Sequence, residues 1–152
     1  NAKIQYAMVR RGVIPELGSH VLLPRVIGFP KAAELMLTGR QFLGSEAAEL
    51  GIATRAVPSE RVLEEAMVIA RDIVTNVAPV SAALAKKLMW AGLNSSVDEM
   101  LALESSLLPG LAAMPDAGEG VRAFFEKRTP QWQGRVSADV PEVSLGSDKG
   151  DR

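Results

Sequence analysis

Glu16, Ser19 and His20 stand close together in the stretch PELGSH, and each is a residue type that moves protons or acyl groups. A serine beside a histidine suggests a hydrolytic pair. Adjacent residues, however, do not readily form a serine-to-imidazole hydrogen bond in a regular helix, and no GxSxG nucleophile elbow surrounds them. His20, the single histidine, is therefore read as a residue of a helical first turn. Glu16 keeps two readings. A carboxylate just before a helix is stabilised by the helix dipole by about 0.3–1 kcal/mol, and one placed carboxylate is also what a proton shuttle needs. From the residues alone the dipole role is preferred.

The remaining charged candidates read mostly as solvated faces. Lys86-Lys87 and Glu126-Lys127-Arg128 are such clusters on helical segments. Glu104 differs, because it falls near an apolar stripe between Leu101 and Leu108, where an unpaired charge is costly. It is expected to pair with a lysine or arginine, or to sit at a subunit interface. No GxxxxGK[ST] loop and no GxGxxG fingerprint occurs, so nucleotide hydrolysis and Rossmann-type NAD binding have no support. The chain has no cysteine, which excludes disulfides, thiolate nucleophiles and Cys-based metal sites and fits a cytoplasmic location. With 17 Lys+Arg against 18 Asp+Glu there is no electrostatic case for nucleic acid or an anionic membrane as partner. No apolar run reaches the roughly 18–20 residues of a membrane span, so a soluble chain is expected.

The elements that must position these groups follow from periodicity and punctuation. In AKIQYAMV, Ile4, Tyr6 and Met8 alternate with polar or small residues, as in a strand with one buried face. Such a strand needs neighbours, and further residues upstream of Asn1 are expected. Val21-Leu22-Leu23 begins a helix with Pro24 in its first turn and Gly28 as its stop. Pro30 opens a second helix, with Ala33, Met36 and Leu37 on one face and Gly39 at its end. Ser45 caps a short third helix that stops at Gly51, and IATRAVP reads as a strand before Pro58. Ser59 then caps a long helix striped by Val62, Ala66, Ile69, Ile73 and Val77. Pro79 to Gly92 forms the next helix. Ser96 with Glu99 makes a capping box for a helix that ends at Pro109-Gly110, and Asp116 with Glu119 repeats the device. From Arg135 the chain is polar and aperiodic, and a flexible tail is expected. One or two strands followed by about six helices is a lopsided inventory for a self-contained α/β domain.

This order of features resembles a known family. GVIPELGSHVLLPRVIGFPKAAELMLTGRQFLGSEAAELGIATRAVP, then two long helices, then PDAGEGVRAFFEKRTPQW, is similar to the C-terminal half of the enoyl-CoA hydratase/isomerase (crotonase) family, over residues 2 to about 134. The resemblance implies an α/β fold, a ClpP-like spiral of ββα repeats in truncated form, with a mainly helical C-terminal region. Residues 1–58 would then close the spiral core, 59–134 would serve oligomerisation and CoA contact, and 135–152 would be the tail. It also implies acyl-CoA thioester substrates, an oxyanion hole of two backbone N–H groups, and a homotrimer or hexamer. No cofactor is implied beyond the coenzyme A of the substrate, and no metal. Both oxyanion donors fall in the family's N-terminal half, so this chain alone is expected to be inactive.

The resemblance also bears on single residues. Hydratases of the family use two glutamates, and the second of those positions falls here on Met8, whose thioether cannot act as acid or base. Glu16 matches the position where isomerase-like members keep a single base. The resemblance therefore turns the reading of Glu16 towards catalysis, with double-bond isomerisation preferred; the alternatives are a hydratase that uses Glu16 with a carboxylate from the missing N-terminal half, and a non-catalytic acyl-CoA-binding or assembly fragment. Met8, Leu17 and Val21 are the implied acyl-pocket residues, and Lys127 is implied as a contact to the CoA nucleotide.

Overall fold

The computed structural model describes residues 2–143. The chain forms two compact units, Asn1–Glu65 and Ala66–Arg152.

In the first unit, β1 (Lys3–Gln5) pairs antiparallel with β2 (Gln41–Leu43), setting Ile4 opposite Phe42. The alternation that announced a longer strand stops at Tyr6. Residues Ala7–Arg11 form a 3₁₀ turn closed by Gly12 in the left-handed region at φ 76°. The reason is tertiary. Gly39, itself at φ 56°, comes so close that a Cβ there would lie 2.9 Å from Val9 Cγ2 and 3.0 Å from the Tyr6 carbonyl oxygen. A straight strand through Met8 would not follow this surface, and Met8 sits half-buried on the turn instead.

α1 (Ser19–Ile27) begins two residues before the expected start, with Gly18 as N-cap, so Pro24 lies in its second turn and removes one backbone bond. α2 (Phe29–Thr38) has Pro30 in its first turn and ends at the left-handed Gly39. The two helices pack through Leu23 and Ile27 against Ala32, Leu35 and Met36, and Phe42 and Ala47 complete this core. The buried face of α2 is therefore rotated from the expected Ala33-Met36-Leu37 stripe, and Leu37 is 77% exposed. The carbonyls at the end of α2 are satisfied from the 3₁₀ turn and β1: Arg10 Nε donates to Thr38 O at 2.7 Å and Gln5 Nε2 to Gly39 O at 2.6 Å.

α3 (Gly44–Glu49) starts without a side-chain cap, and Ser45 lies inside it. Arg40 ties α2 to α3, its Nε donating to Glu34 Oε1 at 2.7 Å and its two terminal nitrogens to both oxygens of Glu46. These bonds hold the Glu46 carboxyl below its ordinary range and raise the Arg40 guanidinium. The expected strand at IATRAVP does not form. The N–H groups of Ile52 and Ala53 both donate to Ala47 O, at 2.8 and 3.0 Å, and fold the chain back onto α3 instead of leaving it extended.

A 3₁₀ turn, Ser59–Arg61, leads into α4 (Val62–Asn76), again without a cap from Ser59. The apolar stripe of α4 is present, yet none of its residues is buried among the described residues. In the second unit α5 (Pro79–Gly92) buries Val80 and Leu84. α6 (Val97–Ala112) carries the expected capping box at Ser96 and Glu99 but does not stop at Pro109. The proline costs one backbone bond, and the ladder resumes when Ala113 N donates to Pro109 O at 3.2 Å. α7 (Pro115–Glu126) follows, and the tail forms one helical turn, α8 (Val136–Asp139), where Arg135 N donates to Asp139 Oδ2 at 2.7 Å. Residues 144–152 of the tail expected from Arg135 lie outside the described residues. No single helix among the described residues is long and apolar enough to cross a membrane.

Candidate active site

Glu16 lies on a tight turn whose shape the sequence explains only in part. Its carbonyl accepts the Ser19 N–H at 3.2 Å, and the two residues between them, Leu17 at φ 58° and Gly18 at φ 72°, are both left-handed. Glycine takes that conformation freely, whereas leucine is strained there, and such strain is a recurrent feature of functional turns. Pro15 is buried and anchors the loop, and Val13 N donates to Met8 O at 3.2 Å, tying the loop to the 3₁₀ turn. Thus it is the backbone of Met8 that supports the Glu16 loop.

Apolar side chains stand uncovered along this loop. Leu17 is 91% exposed, Ile14 74% and Val21 50%, and the Glu16 carboxylate forms no ion pair among the described residues. Two of the three residues expected in an acyl pocket, Leu17 and Val21, are thus exposed on the turn and the helix that follow Glu16, while Met8 is half-buried on its own turn. Ile14 was not signalled by the sequence. The Ser19 hydroxyl is buried and has no hydrogen-bond partner among the described residues, and His20 is exposed in the first turn of α1. Neither forms part of a hydrolytic pair. A carboxylate on such a turn can take up and return one proton beside an apolar ligand.

The second unit holds the other candidates. Lys127 closes α7 at φ 53° and ψ 42°, and its exposed ammonium forms no ion pair among the described residues. Asp116 and Glu119 are buried, and they do not form the capping box their spacing suggested. Met114 is the N-cap and Pro115 occupies the first position, so both carboxylates lie inside the helix. They face the returning chain. Glu119 Oε1 accepts from Arg128 Nη1 at 2.6 Å and from Gln131 N at 2.8 Å, and Oε2 accepts from Arg128 Nη2 at 3.0 Å and Arg122 Nη2 at 3.2 Å. Asp116 accepts from Gln133 N at 2.7 Å and Gly134 N at 3.0 Å. A local rule cannot distinguish these roles, because every partner except Arg122 comes from 128–134.

The Arg128 bonds, followed by the Gln131 N–H, hold the Glu119 carboxyl down from 4.5 to about 2. A carboxyl lowered on folding contributes stability that is complete above its unfolded value and disappears as pH falls through its folded value. We therefore expect an acid transition between pH 4.5 and about 2 that Glu119→Gln lacks, followed through the fluorescence of Trp132 in an acid titration. Glu104 behaves differently. It is exposed beside an apolar groove of about 540 Å³ lined by Leu88, Met100 and Leu107, and no lysine or arginine pairs with it among the described residues. Solvation removes the cost that led us to expect a lysine or arginine partner within the chain.

Residues 1–135 match the family described as Enoyl-CoA hydratase/isomerase. The chain belongs to that family. It is 37% identical over 134 residues to a Mycobacterium tuberculosis protein named probable enoyl-CoA hydratase echA8, covering 88% of this chain and 52% of that protein. A Thermus thermophilus relative, also named as an enoyl-CoA hydratase, is 36% identical over 131 residues, or 86% of this chain and 51% of its own. Among solved structures, an enoyl-CoA hydratase/isomerase from Mycobacterium abscessus superposes with a TM-score of 0.85 at 42% identity, covering 89% of this chain and 53% of that one. An enoyl-CoA hydratase from Bacillus anthracis gives a TM-score of 0.83 at 33% identity, with 89% and 52% covered. The fold is that of the crotonases, and the chain spans about half the length of these relatives.

Proposed function

We propose that this chain, within the complete protein, acts on an enoyl-CoA thioester by moving its double bond, with Glu16 as the base. The observation that carries the reading is the exposed carboxylate on the left-handed Leu17-Gly18 turn with the uncovered side chains of Ile14, Leu17 and Val21 along the same loop. In the reaction Glu16 takes a proton from C2 of a 3-enoyl thioester, the double bond shifts from C3–C4 to C2–C3, and the same carboxyl returns the proton to C4. Two backbone N–H donors from the other half of the family fold hold the enolate oxygen, each typically worth about 10²–10³ in rate. Lys127 contacts the phosphates of the CoA, and Met8, Leu17 and Val21 line the acyl chain. The protein works as a trimer or hexamer and uses no cofactor apart from the substrate's own coenzyme A.

A second reading is favoured by the names of the relatives, which are hydratases. In it Glu16 and a carboxylate from the rest of the protein add water to a 2-enoyl thioester. Offering the full-length protein 3-enoyl-CoA and 2-enoyl-CoA in separate assays distinguishes the two. We expect 3-enoyl-CoA to be converted to the 2-enoyl isomer, with little water added to 2-enoyl-CoA. Rapid formation of 3-hydroxyacyl-CoA without isomerisation overturns the preferred reading.

A further inference from the structure

Lys127 occupies a backbone conformation, φ 53° and ψ 42°, that glycine normally fills at a helix end, because a Cβ there crowds the following carbonyl. Its own N–H closes the helix on Ala123 O and Phe124 O, which a glycine would do with less strain. The next stretch of chain is bonded back onto the same helix. Arg128 Nη1 and Nη2 reach the two oxygens of Glu119 at 2.6 and 3.0 Å, while its Nε donates to Glu126 Oε2 at 2.6 Å. Three residues on, Gln131 N is tied to Glu119, and Gln133 N and Gly134 N are tied to Asp116. Trp132 packs against the helix at Gly120, its Cη2 3.4 Å from where a Gly120 Cβ would be, and its Nε1 donates to Thr75 O at 3.2 Å.

The same arrangement sets the charge of the turn. Glu119 and Glu126 both give their carboxylates to Arg128, and the Lys127 ammonium is left without an ion pair among the described residues. Glu119 is 8% exposed and Asp116 6%, so neither anchor is a loose surface contact.

We propose that Asp116, Glu119 and Arg128 are positioning residues, a clamp that folds 128–134 back on α7 and so presents the unneutralised Lys127 ammonium to the phosphates of coenzyme A. The proposal rests on the reading of Lys127 as a CoA contact. Its test is a double-mutant cycle in the full-length protein, with coenzyme A itself titrated calorimetrically. Lys127→Ala is expected to weaken binding about tenfold, as for one lost bond to a charged group. Glu119→Gln should weaken it to a similar extent, yet add nothing in the Lys127→Ala background, because the clamp acts through that lysine. Should Glu119→Gln not fold, Arg128→Lys keeps the charge but loses the two-pronged bond, and the same pattern is expected of it. Clamp variants that leave the affinity untouched while Lys127→Ala weakens it overturn the proposal. So do clamp variants that weaken binding equally in both backgrounds, which is the signature of a general structural effect. An unchanged affinity in Lys127→Ala instead removes the CoA role of the lysine, and the clamp's function with it.

Discussion

Glu16→Gln in the full-length protein is expected to lower turnover of 3-enoyl-CoA by about 10²–10⁴ and to leave substrate binding in place, the usual share of a positioned acid-base group. The substitution keeps the length and shape of the side chain and removes only its basicity, which the proposed proton shuttle needs. Since the carboxylate is exposed and the turn is built by backbone groups, Glu16 O accepting from Ser19 N and Val13 N donating to Met8 O, the turn survives the change. The thermal melt should therefore hardly move. A rate that stays within a few-fold of the parent returns Glu16 to the helix-dipole role first read from its place before α1. Both quantities come from one preparation, by a coupled isomerisation assay and a melt.

Leu35→Ala is expected to lower stability by about 2–5 kcal/mol, the range for emptying a well-packed site. Leu35 is 1% exposed and is enclosed by α1, β2 and α3 through Leu23, Ile27, Phe42 and Ala47. Phe42 cannot move into the space without disturbing the pairing of β2 with β1, which favours a persistent cavity. Leu37→Ala provides the contrast: two positions away on the same helix and 77% exposed, it should cost far less. Urea unfolding of both variants measures the difference, and equal losses would mean that the buried face of α2 is the one expected from the sequence pattern rather than the one centred on Leu35.

The contrast within α2 shows where the sequence is informative. Gly28 and Gly39 as helix stops, Pro30 and Pro79 in first turns, and the Ser96–Glu99 capping box were all legible, because each is decided by dihedral preference or by partners within one turn. The face of α2 was not, since Ala33 and Leu37 are as apolar as Ala32 and Leu35 and only the neighbouring helix distinguishes them. The strand expected through Met8 failed for the same reason, as did the one at residues 52–58: period-2 alternation states which residues could share a face, but a partner edge is needed to make a strand of them. Pro109 was read as a stop, although a helix can lose one bond when its packing continues beyond the proline.

The candidate site divides in the same way. Glu16 was visible as the one carboxylate between Pro15 and the Gly18-Ser19 step, and family membership was written in the order of motifs along residues 2 to about 134, in agreement with the family match over 1–135. The left-handed Leu17 could not be read from its residue type, since leucine disfavours that region and only the surrounding turn imposes it. Asp116 and Glu119 carried a misleading signal, a spacing shared by capping boxes, when all their partners but Arg122 lay beyond the end of the helix at Arg128, Gln131, Gln133 and Gly134. The sequence by itself therefore determined the local punctuation, the residue types available for chemistry and the family. Tertiary structure decided which apolar faces are buried, which alternating segment became a strand, and what the two carboxylates of α7 hold, because each of those outcomes depends on contacts with chain that is distant in sequence.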